Sequence, residues 1–298
     1  MEKPTTKSDP SISRPLKTVE RILSYNLVKE INKKIKISKE VSLLDLGSGV
    51  GRSLWDLSSI FSKKDVSLTL FGIYFCRKSS KKSIFYNEEK RHEDARKNPL
   101  IIAEEFNINT QGLSIPKLFN ANACTRIPVK SNSIDLIYST NAFHFFENKL
   151  GAITEISRIL KINGRAIINI DRTDQGFWSS KISLPRLRIY EKNKILSLKN
   201  ILKEKASNNF QIDIKKVNSY GTGLDSYILI ITKKRNALLT FSELQFNKKQ
   251  SLDLNKIRYS KQDIKNTLEY KKLVELNESF GKELNKEQFG GFLSIYKK

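Results

Sequence analysis

LLDLGSGVGRSLWDL, residues 43–57, passes from a strand-like apolar run through Gly47, Gly49 and Gly51 into a helical repeat. VSLLDL, residues 41–46, has the length and apolarity of a buried strand, and Leu54, Leu57 and Ile60 recur at helical spacing between Val50 and Phe61. Glycines at such a junction let the backbone turn sharply and approach a ligand where a Cβ would otherwise stand. The helix start behind them offers unpaired N–H groups and the positive end of the helix dipole. Asp45 closes the strand. A carboxylate in front of this turn repels a pyrophosphate and suits a ligand with a cationic amino group.

The same alternation extends outward. Strands are expected at VSLTLFGIYF (66–75), within IPKLFNANA (115–123), at SIDLIYST (133–140) and at RAIINI (165–170). FQIDIKKV (210–217) and SYILIITKK (226–234) read as a hairpin around YGTGLD. Helices are expected over residues 16–37, 99–107, 150–160 (closed by Asn163-Gly164) and a Lys-rich stretch at 186–206. Strands alternating with helices predict a parallel sheet covered on both faces, and the final hairpin adds an antiparallel edge. Residues 1–15 read as a disordered tail, 16–235 as one domain with an insertion at about 77–115, and 236–298 as a charged, mostly helical extension ending in GGFLSIYKK.

The chain of 298 residues is 39% hydrophobic and carries a formal charge of +23, from 54 Lys and Arg against 31 Asp and Glu. Such a balance suits a polyanionic partner such as nucleic acid. The lysines are spread along the chain, however, as an AT-rich genome also produces. Cys76 and Cys124 form neither a CxxC motif nor a disulfide framework, and His92 and His144 are too few for a His-based metal site. There is no signal-peptide pattern and no apolar run of the ~20 residues that a membrane helix needs, so a cytoplasmic setting is expected.

The glycine stretch resembles the first motif of class I S-adenosylmethionine-dependent methyltransferases. IPVKSNSIDLIYSTNAFHFFEN (127–148) resembles that family's LPF-x-D-x-SFDLV-x-S-x-x-x-HH segment, and ISRILKINGRAIINI (156–170) resembles its RVLKPGGRLVI. The resemblance spans roughly residues 40–235. It implies a Rossmann-like, doubly wound α/β fold: seven mostly parallel strands with an antiparallel last strand, plus helical N- and C-terminal additions. It also implies S-adenosylmethionine as cofactor, bordered by Gly47, Ser48, Gly49 and Gly51, with Asp45 near its amino group. Asn122 or Ala123 falls where the family contacts adenine, and Ser139, Thr140 and Asn141 follow the fourth strand beside the sulfonium.

Two positions depart from the pattern. Tyr74 stands where the family ends its second strand with Asp or Glu, and Asn122 where it carries Asp. A phenol makes one hydrogen bond to a ribose hydroxyl, or lays its ring against adenine, but cannot form a charged bidentate pair. Asp65 precedes the strand, at its wrong end, while Glu88 and Glu89 lie in the insertion.

His144 is the candidate general base, or simply lines the cleft. Phe143, Phe145 and Phe146 read as core and cleft wall, Asp135 as a structural hydrogen-bonder and His92 as solvated. Phe177 and Trp178 either shape an acceptor pocket or pack against the tail. STNAF stands where base-amino methyltransferases carry an NPPY-like tetrapeptide, which speaks against base-amino methylation, and the resemblance to small-molecule or lipid/quinone methyltransferases implies a small-molecule acceptor. An RNA or protein acceptor, and a degenerate methyltransferase fold that only binds, are the alternatives.

Overall fold

A computed structural model describes residues 13–74, 86–143, 146, 148–170, 188–191, 194–217 and 226–241. The chain divides into two compact units: Met1–Arg172 with Leu202–Phe241, and Thr173–Ile201 with Ser242–Lys298. The described part of the second unit contains an antiparallel hairpin of β6 (Arg188–Glu191) and β7 (Lys194–Ser197).

The first unit is built on one seven-stranded sheet. Its strands are β1 (Glu40–Leu46), β2 (Ser67–Tyr74), β3 (Lys117–Asn120), β4 (Ile134–Ser139), β5 (Leu160–Ile170), β8 (Phe210–Val217) and β9 (Ser226–Lys233). Their spatial order is β3-β2-β1-β4-β5-β9-β8. β3, β2, β1, β4 and β5 pair in parallel, and β9 runs antiparallel to both β5 and β8. This is the doubly wound arrangement that the alternation predicts, antiparallel last strand included. The central strands are apolar on both faces: Leu43, Leu44, Leu46, Leu136, Ile137, Ile167 and Ile168 are fully buried, as strands covered on both sides require.

Helices α1 (Leu16–Leu23), α2 (Leu27–Ile35), α3 (Arg52–Phe61), α4 (Tyr86–Lys97), α5 (Leu100–Glu105), α6 (Lys149–Ile159) and α7 (Leu198–Lys205) fill the connections. α1 packs on α3 and β5, α2 on β1, α3 on β2, α4 on β3 and α6 on β5. Because the chain crosses to β2 and β3 on one side of β1 and returns to β4 on the other, the order reverses beside the C-terminal end of β1. That is where open α/β sheets bind ligands.

Three expectations need correction. The single helix over 16–37 is two. Ser24 takes a left-handed conformation (φ 45°), and Asn26 then caps α2 by accepting the Lys29 amide at 2.6 Å. Asn163-Gly164 does not close α6. It lies inside β5, where Asn163 has φ 61° and the β4–β5 register shifts between Ile134 and Leu136, so the turn residues form a strand irregularity. The helical stretch over 186–206 is the β6–β7 hairpin followed by α7. Residues 1–12, YGTGLD and 242–298, including GGFLSIYKK, lie outside the described residues, as do Cys76, His144, Phe145, Phe177 and Trp178.

Candidate active site

β1 delivers Asp45 to the turn. Its Cα neighbours are Gly72 on β2 and Tyr138 on β4. The glycine loop is then pinned to the end of β2, where the Gly47 and Ser48 amides both donate to the Ile73 carbonyl, at 2.8 and 2.9 Å. Gly47, Gly49 and Gly51 have φ of 92°, 55° and 80°, a region that only glycine enters without strain.

Gly47 and Gly51 also answer to packing. A Cβ on Gly47 would overlap that of Ala142, and one on Gly51 would meet Leu118 at 3.1 Å. Gly72, across on β2, makes room for the loop itself: a Cβ there would stand 2.5 Å from Leu118 and 2.6 Å from Ser48 Oγ. The glycine of the Gly72-Ile73 pair is therefore a partner of the loop, and Ser48 turns its side chain onto it.

Asp45 is 4% exposed. Ser53, in the first turns of α3, donates its hydroxyl to Asp45 Oδ2 at 2.8 Å and lies 3.0 Å from the Tyr138 hydroxyl. Ser53 has one proton and directs it at Asp45, so Tyr138 donates to Ser53. This relay serves one carboxylate oxygen only. Asp45 Oδ1 is buried and has no hydrogen-bond partner among the described residues. Burial drives the Asp45 pKa up to about 7, against the opposing pull of Ser53, the Arg14 charge and Tyr138. Burial, followed by the nearby Asp45 charge, also pushes the Tyr138 phenol well above its ordinary value.

Tyr74 ends β2, as expected, and is 4% exposed. Its phenol donates to Glu93 Oε2 at 3.2 Å, and its ring stacks on His92 with centroids 5.1 Å apart and planes 24° apart. His92 is thus not solvated; it is 8% exposed under this stack. Glu88 and Glu89 lie on the same helix, α4, but the carboxylate that meets Tyr74 belongs to Glu93. Charged residues fill EEKRHEDARK, so no apolar stripe in the sequence marks which side chains face the sheet.

The remaining candidates are engaged locally. Ser139 Oγ, fully buried, donates to the Leu46 carbonyl at 2.6 Å and ties the ends of β4 and β1 together. Thr140 is 3% exposed beside it. Asn141, at φ 50°, directs its amide toward Asn169 Oδ1 at 3.5 Å. Asn122 Oδ1 accepts the Cys124 amide at 2.9 Å, and its carbonyl accepts the Thr125 and Arg126 amides, both at 3.1 Å; Ala123 beside it is 5% exposed. Phe143 is fully buried, with its ring 5.3 Å from that of Phe146. Asp135 sits at the opposite end of the sheet, bonded to the Ser42 amide at 2.9 Å and to Lys161 at 2.6 Å. Ser53, Tyr138 and Glu93 carry no motif, and sequence reasoning passes them by. Among the described residues, no group of His, Cys, Asp and Glu could hold a metal ion, and no helix is long and apolar enough to cross a membrane.

A glycine turn at the switch point of a 3-2-1-4-5 parallel array, with a buried acid in front of it, is the architecture expected from the motifs. Residues 44–168 match the family model described as a methyltransferase domain. That segment, which carries the glycine turn and strands β2 to β4, is what this chain shares with methyltransferase domains. Among solved structures the chain is similar to a protein of Methanococcus maripaludis assigned to the S-adenosyl-L-methionine-dependent methyltransferases (18% identity, 80% of this chain and 100% of that one, TM-score 0.43). A SAM-dependent methyltransferase from Aquifex aeolicus is similar at 17% identity, 76% and 98% coverage and TM-score 0.43. The [4+2]-cyclase SpnF is similar at 14% identity, 70% and 79% coverage and TM-score 0.44. No curated protein matches the sequence.

Proposed function

We propose that the chain binds S-adenosylmethionine through the Asp45 turn and transfers its methyl group in line to a small-molecule acceptor. The observation that carries this reading is Asp45 Oδ1, a buried carboxylate oxygen at the switch point of the sheet that has no hydrogen-bond partner among the described residues. Burying such an oxygen unsatisfied is costly. The cofactor's ammonium group satisfies it and favours the ionised form, so the residues present fit the group.

When bound, the cofactor supplies a methyl group on a sulfonium, a good leaving group. Asp45 orients the amino-acid end, and Gly49, at φ 55° in the turn, borders the ligand. Tyr74, at the end of β2, lies on the ribose side. Asn122, whose side-chain oxygen already holds the Cys124 amide, offers its amide nitrogen as a donor to the adenine edge, with Ala123 alongside. Thr140 and the backbone after Ser139 border the reacting end. Catalysis of this kind rests on alignment in a water-poor cleft. His144 serves as general base where the acceptor must lose a proton.

Calorimetry with S-adenosylhomocysteine tests the reading. Saturable binding is expected, with a stabilisation of ~2.7 kcal/mol at a hundred times the dissociation constant. Failure to bind at millimolar cofactor overturns it. The formal charge of +23 supports a second reading, an RNA acceptor. It requires polyanion binding that weakens steeply with salt, and affinity indifferent to salt eliminates it.

A further inference from the structure

We propose that Glu93, on α4 and held against Tyr74, is the acid that grips the cofactor ribose in this chain, a role that rests on the function proposed above. A ribose diol at a switch-point site is ordinarily met by a carboxylate about twenty residues past the glycine turn, at the end of the second strand. Here that strand ends in Tyr74. The glycine loop touches the same place, since the Gly47 and Ser48 amides donate to the carbonyl of Ile73, one residue before Tyr74.

α4 is fixed to Tyr74 twice by adjacent residues: His92 stacks on the ring and Glu93 accepts the phenol proton at 3.2 Å. The phenol is sheltered, with Tyr74 4% exposed, whereas the Glu93 side chain is 37% exposed. The carboxylate is therefore the open member of the pair. Arg96 anchors it from the other side, Nε donating to Oε2 at 2.8 Å and Nη2 to Oε1. A carboxylate has about four acceptor positions; Tyr74 and the Arg96 fork take three of them and Lys97 Nζ stands off at 3.8 Å from Oε1, so Glu93 is oriented and still has room for a hydroxyl donor. Arg96 is also the largest cause holding the Glu93 carboxyl well below the usual range, so it is ionised at neutral pH. The negative charge missing from the strand end thus returns from the crossover helix, and Tyr74 positions it.

The test compares S-adenosylhomocysteine with its 2′,3′-dideoxyribose analogue by calorimetry, on wild type, Glu93→Gln and Tyr74→Phe. Wild type is expected to prefer the ribose form. Glu93→Gln is expected to weaken the ribose form by roughly tenfold while leaving the dideoxy form unchanged, and Tyr74→Phe to reduce the preference in the same direction. If Glu93→Gln weakens both probes equally, the residue merely holds α4, and the proposal fails. It also fails if the preference survives both substitutions. Those results leave the function proposed above standing, whereas a wild type that binds neither probe removes both.

Discussion

The two ends of the sheet treat buried carboxylates in opposite ways. At the foot, Glu30 of α2 accepts from the Tyr25 phenol at 2.9 Å and from Arg165 at 3.1 Å. Burial raises its pKa, but the Tyr25 hydrogen bond and the Arg165 charge outweigh it, and the carboxyl ends below its ordinary range. Asp135 is likewise bonded to Lys161 and the Ser42 amide. At the head, Asp45 is just as buried, yet one oxygen has two hydroxyls behind it and the other has no hydrogen-bond partner among the described residues. The foot acids close the fold. The head acid is left incomplete among the described residues, which is the feature the proposed ligand site rests on.

Exchanging the acids should separate these roles. Asp45→Asn is expected to weaken S-adenosylhomocysteine by ten- to roughly a hundredfold, the worth of a hydrogen bond to a charged group. Glu30→Gln should leave that affinity within about twofold and instead lower unfolding stability by ~2 kcal/mol, because it strips the charge from a buried network. Calorimetry and urea melts on both variants decide the matter, and a foot variant that loses ligand as severely as the head variant breaks the comparison.

pH sharpens it further. The Asp45 pKa is raised in the folded state to about 7, so the folded protein holds a proton between the unfolded carboxyl's ordinary range and neutrality. Its contribution to stability is full below the unfolded value and is lost as pH rises through about 7. Ligand affinity runs the other way, because the ammonium needs the ionised form: a rise of about tenfold from pH 6 to pH 8 is expected. Asp45→Asn should lose that pH dependence and should gain stability relative to wild type as pH is raised over the same interval. Glu30 is lowered, so it does not titrate in this window.

The sheet was legible because its strands are apolar on both faces and its turns carry glycine, and both signals are local. Asp45 was legible for the same reason, as it sits inside the turn motif. The Asp45 relay was not. Ser53 lies within a helix and Tyr138 within a strand, where each looks like an ordinary member of its element, and only the pairing of Asp45 with Tyr138 across β1 and β4 brings them together. Glu93 was hidden differently, in a stretch so polar that no periodicity distinguishes its inward face. Asn26 and Ser24 carried a helix-break signal that the apolar spacing on either side overrode. Asn163-Gly164 had the right chemistry for a turn, but the long-range pairing of β5 with β4 absorbed it into the strand.

The smallest effect tests whether the relay acts on Asp45 or only fills space. Tyr138→Phe keeps the ring in the core and removes one hydroxyl, so the stability cost should be ~1 kcal/mol. Ser53 then loses the donor behind it but still serves Asp45 Oδ2. The Tyr138 hydrogen bond is one of the influences that lower the Asp45 pKa, so its removal should move the midpoint of the affinity-versus-pH curve upward while affinity at high pH stays close to wild type. A structural filler would lower affinity evenly at every pH. A shifted midpoint with a preserved plateau therefore assigns Tyr138 to the electrostatics of the head acid, and an even loss assigns it to the core.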